Sequence, residues 1–301
     1  MIGLTKINTI INNLDLKCIR PNAKLDELSE KILNRKKNEV KLYLTIEEND
    51  KKDDIYFLDG SETHDNLKEL NEKNTKLYIY KDKCNKNNEY EFTKKFIFDF
   101  KGDYKILLKL ELGKEEKLTD SSFMFYKCSK LKNIDLTFFD ASNIINMSNM
   151  FAYCENLGKI DLSFFDASNV DDMSSTFKGC KNLKEINLSS FKTIQVKNMS
   201  NMFEDCENLE AIDLSSFDTS NVENMSFMFK GCKKLKDINL SSFKILKVKN
   251  VCNMFEDCEN LENVYSFTIP EGVQADNVFK NCKKYTAIKG GENENFQKFK
   301  K

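Results

Sequence analysis

Cysteine recurs at Cys128, Cys154, Cys180, Cys206, Cys232 and Cys258, always 26 residues apart, and once more at Cys282 after 24. Phenylalanine keeps the same step through Phe125, Phe151, Phe177, Phe203, Phe229 and Phe255, ending at Phe279. Most of Leu209 to Phe229 returns 26 residues earlier and 26 later. Self-similarity at a fixed step means one structural unit laid on the next, because no single unit of this length buries its own apolar face. The chain is therefore expected to be a stack of coils, a solenoid, in which residues one period apart become neighbours.

A unit of this size lies within the leucine-rich-repeat range. In Leu183 to Leu209, Leu183, Ile186 and Leu188 have the L-x-x-I-x-L spacing of a short strand, with Ile186 and Leu188 on one face. Phe191 turns inward after Ser189 and Ser190, and Val196 and Met199 continue the buried row. Ser200 is placed to cap a short helical turn carrying Met202, Phe203 and Cys206 on one side. These nine side chains, at about 1.5–3 kcal/mol each when fully buried, offset ordering entropy only if neighbouring coils cover both faces. The fold class expected is an α/β repeat of about seven coils.

Charge has a period twice as long. Lys178, Glu204, Lys230, Glu256 and Lys280 occupy one column, Lys181, Glu207, Lys233, Glu259 and Lys283 a second, and Lys184, Glu210, Lys236 and Glu262 a third. Stacking turns each alternating column into opposite-charge neighbours and penalises a slip of one coil, which would stack like charges.

The array is expected over 103–288, because Leu108, Leu110 and Leu118 fall one period before Ile134, Leu136 and Ile144. Residues 1–102 read as a small α+β domain that caps its open end. They offer a strand at Leu14 to Ile19, a helix with the stripe Leu25, Leu28, Ile32 and Leu33, and strands at Val40 to Ile46, Ile55 to Leu58 and Leu77 to Tyr80. Pro270 and Gly272 interrupt the last coils as a terminal cap would, and 289–301 is a polar tail.

Little in the sequence carries chemistry. Among 301 residues His64 is the one histidine, so no repeated triad exists, and a metal site would need ligands converging from several directions. No cofactor is expected, and the chain reads as a non-enzyme. Net charge is −1, and only Arg20 and Arg35 of the 47 basic residues are arginine, which argues against nucleic acid as a partner. No apolar run reaches the roughly 20 residues of a membrane helix, so membrane insertion is not expected. The start lacks the features of a signal peptide, which points to a cytoplasmic protein. In-register thiols point the same way and suit a disulfide poorly. Cys154, Cys180, Cys206, Cys232 and Cys258, with Phe177, Phe203 and Phe229, are expected as a structural core file. The column Asn146, Asp172, Asn198, Asn224 and Asn250 is a candidate for capping backbone groups at the coil corner.

The run Asn198-Met199-Ser200-Asn201-Met202-Phe203-Glu204-Asp205-Cys206-Glu207-Asn208-Leu209, and its copies from Leu118 to Val264, resembles the BspA-like leucine-rich repeats, the Mycoplasma-lipoprotein-type repeat. The resemblance implies a right-handed leucine-rich-repeat solenoid with a binding or adhesion role, often at cell surfaces. The function expected is a protein–protein interaction scaffold using the strand face at Lys184, Glu185, Asn187, Glu210, Asp213, Lys236, Asp237 and Asn239. A structural subunit docked through residues 1–102 and a cell-surface adhesin are the competing readings.

Overall fold

The computed structural model describes residues 38–60, 69–81, 88–113 and 116–289. The expected strand at Leu14 to Ile19, the helix from Leu25 to Leu33, His64, Cys18, Cys84 and the tail from 290 onward lie outside the described residues.

Strand and turn make up what is described, with one 3-10 turn at Glu48–Asp50 and no α-helix among the described residues. The first strand, β1 (Asn38–Ile46), alternates in burial: Val40, Leu42, Leu44 and Ile46 face inward while Lys41, Tyr43 and Thr45 face out. It is followed by β2 (Asp54–Tyr56), β3 (Thr75–Lys81), β4 (Asn88–Tyr90), β5 (Lys95–Ile97) and β6 (Gly102–Leu110). The repeating part adds β7 (Leu131–Phe138), β8 (Lys159–Asp161), β9 (Glu185–Asn187), β10 (Asp237–Asn239), β11 (Asn263–Tyr265) and β12 (Ala287–Lys289).

The strands form an open seven-stranded sheet in the order β4-β3-β6-β1-β7-β8-β9, a three-stranded sheet β10-β11-β12 and the pair β2-β5. β1 is the seam. It pairs antiparallel with β6 on one side and with β7 on the other, and from β7 onward the pairing is parallel. Leu108 and Leu110 therefore do not extend the column of Ile134 and Leu136 as their spacing predicts. They lie on β6, and β1 stands between β6 and β7.

From Asp120 onward the period is spatial. Bridges run Asp120 to Asn146, Asp172, Asn198, Asn224, Asn250 and Gln274, one step of the repeat each. The helical turn expected after Ser200 is absent. Met199 to Cys206 is a run of tight turns in which the amides of Met202, Glu204 and Cys206 donate to carbonyls three residues back at 3.3, 3.1 and 3.1 Å. The intervening amides of Met199, Asn201, Phe203 and Asp205 donate instead to the next coil, at Asn224, Ser226, Met228 and Lys230, over 2.9, 2.9, 2.8 and 2.7 Å. A right-handed helix cannot split its amides this way. Asn201 and Asp205 prevent it by adopting φ of 59° and 57°. Asn tolerates such left-handed turn positions and Gly favours them. The same conformation recurs at Asn149, Ser175, Phe227, Asn253 and Asn277, and at Tyr153, Gly179, Gly231, Asp257 and Asn281.

Inside the stack, Phe151, Phe177, Phe203, Phe229 and Phe255 pile with ring centroids 5.4–5.5 Å apart and nearly parallel planes. A second file, Phe139, Phe165, Phe191, Phe217 and Phe243, runs beside it. All of these rings but Phe243, which is half-buried against it, belong to one continuous core that also takes in Phe57, Leu58 and Phe98 from the N-terminal part. The strand register is interrupted once: residues 211–213 form no strand between β9 and β10, and Ile186 and Ile212 are half-buried where Ile160 and Ile238 are buried.

Candidate functional site: the strand face

Each strand of the array sends Leu, Ile or Val inward and leaves the intervening residues outside. Lys184, Glu185, Asn187, Glu210, Asp213, Lys236, Asp237 and Asn239 are all exposed. Their bonding divides them. Asn187, Asp213 and Asn239 each accept the amide two residues on, from Ser189, Ser215 and Ser241, at 3.1, 2.9 and 2.9 Å. These side chains hold the turn that leaves the strand. For Asp213 the Ser215 amide and hydroxyl hold its carboxyl below the usual carboxylate range. Glu185 pairs with Lys159 at 2.8 Å, and Asp237 accepts from the Asn263 amide at 2.5 Å. Lys184, Glu210 and Lys236 form no ion pair among the described residues, so the third charge column is open.

The other two columns close on themselves. Lys178 meets Glu204 and Lys230 meets Glu256, both at 2.7 Å, and Lys280 also reaches Glu256 at 2.8 Å. In the second column Lys181, Lys233 and Lys283 pair with Glu155, Glu207 and Glu259 at 2.7, 3.1 and 2.9 Å. A further column, which the sequence reading missed, pairs Asp171 with Lys197 and Glu223 with Lys249. Its alternation was there to be read at the same step.

Glu256 is the most deeply placed of these carboxylates, 5% exposed. Burial pushes its carboxyl up, but hydrogen bonds from Lys230, Lys280 and Asn253 outweigh that and bring it down to about 2.

The cysteine file is a packing element. Cys154, Cys180, Cys206, Cys232 and Cys258 are free and buried, each donating its thiol to a phenylalanine carbonyl of the preceding coil. Burial pushes the Cys180 thiol up to about 12 and raises the others well above their ordinary value. A thiol that stays protonated is a poor nucleophile and a poor metal ligand. No group of three or more metal-ligating side chains occurs among the described residues.

The Asn column at the coil corner caps backbone. Asn146, Asp172, Asn198, Asn224 and Asn250 each accept the amide two residues on at 2.8–3.1 Å. Beside it lies an open depression of about 470 Å³ that includes Ile145, Asn169, Asp171 and Lys197. Asn169 donates to the Ser142 carbonyl and Lys197 is tied to Asp171, so these three polar side chains of its lining are already bonded. No helix among the described residues is long and apolar enough to cross a membrane.

A family model described as "Mycoplasma protein of unknown function, DUF285" matches residues 119–212 and 172–290, which together span more than half of the 301 residues. No curated protein and no solved structure matches.

Proposed function

This chain belongs to the family described as Mycoplasma protein of unknown function, DUF285, and from that premise we propose that it is a non-enzymatic protein-interaction scaffold that binds through its strand face. In this reading the array from Asp120 to residue 288 is a right-handed solenoid of the BspA-like leucine-rich-repeat type, and the part before it, β1 and β6 included, caps its first coil.

The observation that carries the binding role is the open charge column. In a stack whose other charge columns neutralise themselves between coils, Lys184, Glu210 and Lys236 stand exposed and unpaired on one face. Such shallow, charged relief fits a protein partner better than a buried small molecule. The capping role draws support from β1, which pairs along β7. It also draws on the amides of Asp59 and Gly60, which donate to the Met124 and Tyr126 carbonyls at 2.9 and 2.6 Å, as a preceding coil's amides would.

The test is a comparison of affinity purifications with the wild type and with the variant Lys184→Glu/Glu210→Lys/Lys236→Glu. These side chains make no ion pair, so the variant should fold with an unchanged melting temperature and lose the captured partner. A partner retained by this variant but lost on altering the outer face of β1 and β6 would favour the structural subunit docked through the N-terminal part. Surface labelling of the native protein in intact cells would favour the adhesin over the cytoplasmic scaffold.

A further inference from the structure

The described array ends on an open row of backbone donors. In every earlier coil the four amides at the positions of Met199, Asn201, Phe203 and Asp205 donate to carbonyls of the next coil. The row is last satisfied at Val251, Asn253, Phe255 and Asp257, which reach the carbonyls of Gln274, Asp276, Val278 and Lys280 at 2.8–2.9 Å. The corresponding amides of the final coil, on Ala275, Asn277, Phe279 and Asn281, make no hydrogen bond among the described residues. The apolar edge of the same face is closed, because Tyr285 stacks on Phe279 at 4.1 Å and ends the ring column.

Charge says what would complete this end. The alternation that puts Glu256 and Glu259 beside Lys280 and Lys283 calls for two more carboxylates, three residues apart, on their outer side. Among the described residues, neither end of the array in a second copy supplies them. Two such ends would set amide against amide and lysine against lysine. At the opposite end the Met124 and Tyr126 carbonyls are already taken by Asp59 and Gly60.

We propose that this end face docks an acidic peptide segment of a partner protein. Its carbonyl oxygens accept from Ala275, Asn277, Phe279 and Asn281, and its carboxylates meet Lys280 and Lys283. This surface is separate from the strand face, and the proposal stands or falls without it.

The experiment titrates the full chain with two synthetic peptides. One has the sequence of residues 198–209, carrying Glu204 and Glu207; the other that of 224–235, carrying Lys230 and Lys233. The acidic peptide is expected to bind with a Kd of about 1 mM or tighter, at least about tenfold more tightly than the lysine peptide. The variant Lys280→Glu/Lys283→Glu should reverse that order. Should the variant fail to fold, amide exchange on the wild type decides, with Asn277, Phe279 and Asn281 protected only when the acidic peptide is present. Equal binding of the two peptides, no binding of the acidic one, or a dimer that the double variant dissolves would each overturn the proposal.

Discussion

Glu256 shows how much one side chain can carry in such a stack. It accepts from Lys230 below, Lys280 above and Asn253 beside it at 2.7, 2.8 and 2.9 Å. Its carboxyl is held near 2 against an ordinary 4.5, so it stabilises the fold fully above about pH 4.5 and loses that contribution as pH falls towards 2. Glu256→Gln is expected to cost about 1.5–3 kcal/mol at pH 7. In melting curves the gap to the wild type should close between pH 4.5 and 2; a constant gap would mean the charge contributes nothing. Gly231 is a second such position. It sits at φ +70°, with the Asp205 carboxylate of the neighbouring coil lying where a Cβ would go. Gly272 shares the left-handed conformation, at φ +85°, with open space around it. Gly231→Ala should therefore cost about 2–3 kcal/mol and Gly272→Ala about 1 kcal/mol in denaturant unfolding. Equal costs would show that backbone strain alone matters. Cysteine reactivity follows the same logic. Among the described thiols, Cys252 is expected to react first with a thiol reagent, since it is half-buried and stands outside the buried file.

The elements explain what could and could not be read in advance. Strands β7 to β12 were legible because stacking gives every coil the same environment, and each coil then selects the same residue types at one step. The tight turns after Ser200 look helical in the sequence because Met202, Phe203 and Cys206 also satisfy a helical spacing. The signal against it was present in the Asn, Asp and Gly residues of the two left-handed columns, such as Asn201, Asp205 and Gly179. The seam strand β1 is legible as a strand, at Val40 to Ile46, but its place in the sheet is not. Its alternation announces a strand, but nothing local says that it pairs with β7, 93 residues from its N-terminal end. The Glu69 carboxylate that accepts the Thr119 amide at 2.8 Å is hidden for the same reason. At this scale the alternating charges make a prediction of their own. Glu207→Lys with Glu259→Lys breaks the pairs to Lys233 and Lys283 and stacks lysines instead. Exposed pairs are worth about 0–1 kcal/mol each, so the loss should be about 1–2 kcal/mol at low salt and should shrink at about 1 M salt, where screening acts over about 3 Å. A loss independent of salt would remove the electrostatic account of register.

For the whole molecule the two ends of the stack are unlike. At the N-terminal end, β1 pairs along β7 and the amides of Asp59 and Gly60 donate to the Met124 and Tyr126 carbonyls. At the other end the amides of the last coil lack acceptors among the described residues. The interior is common to all coils, so its cost of damage should be too: Phe203→Ala, which removes a buried ring from between Phe177 and Phe229, is expected to cost about 3–5 kcal/mol. Spin-label distances on the strand face test the central claim most directly, that each 26-residue unit lies in register on the one before. Labels at Lys184→Cys with Lys236→Cys, and at Lys184→Cys with Glu262→Cys, span two and three coils. With other accessible thiols replaced by serine, the labelled backbone positions should lie about 10 and 15 Å apart, one strand spacing of about 4.8 Å per coil. Separations beyond about 30 Å, or a three-coil distance no longer than the two-coil one, would contradict the stack.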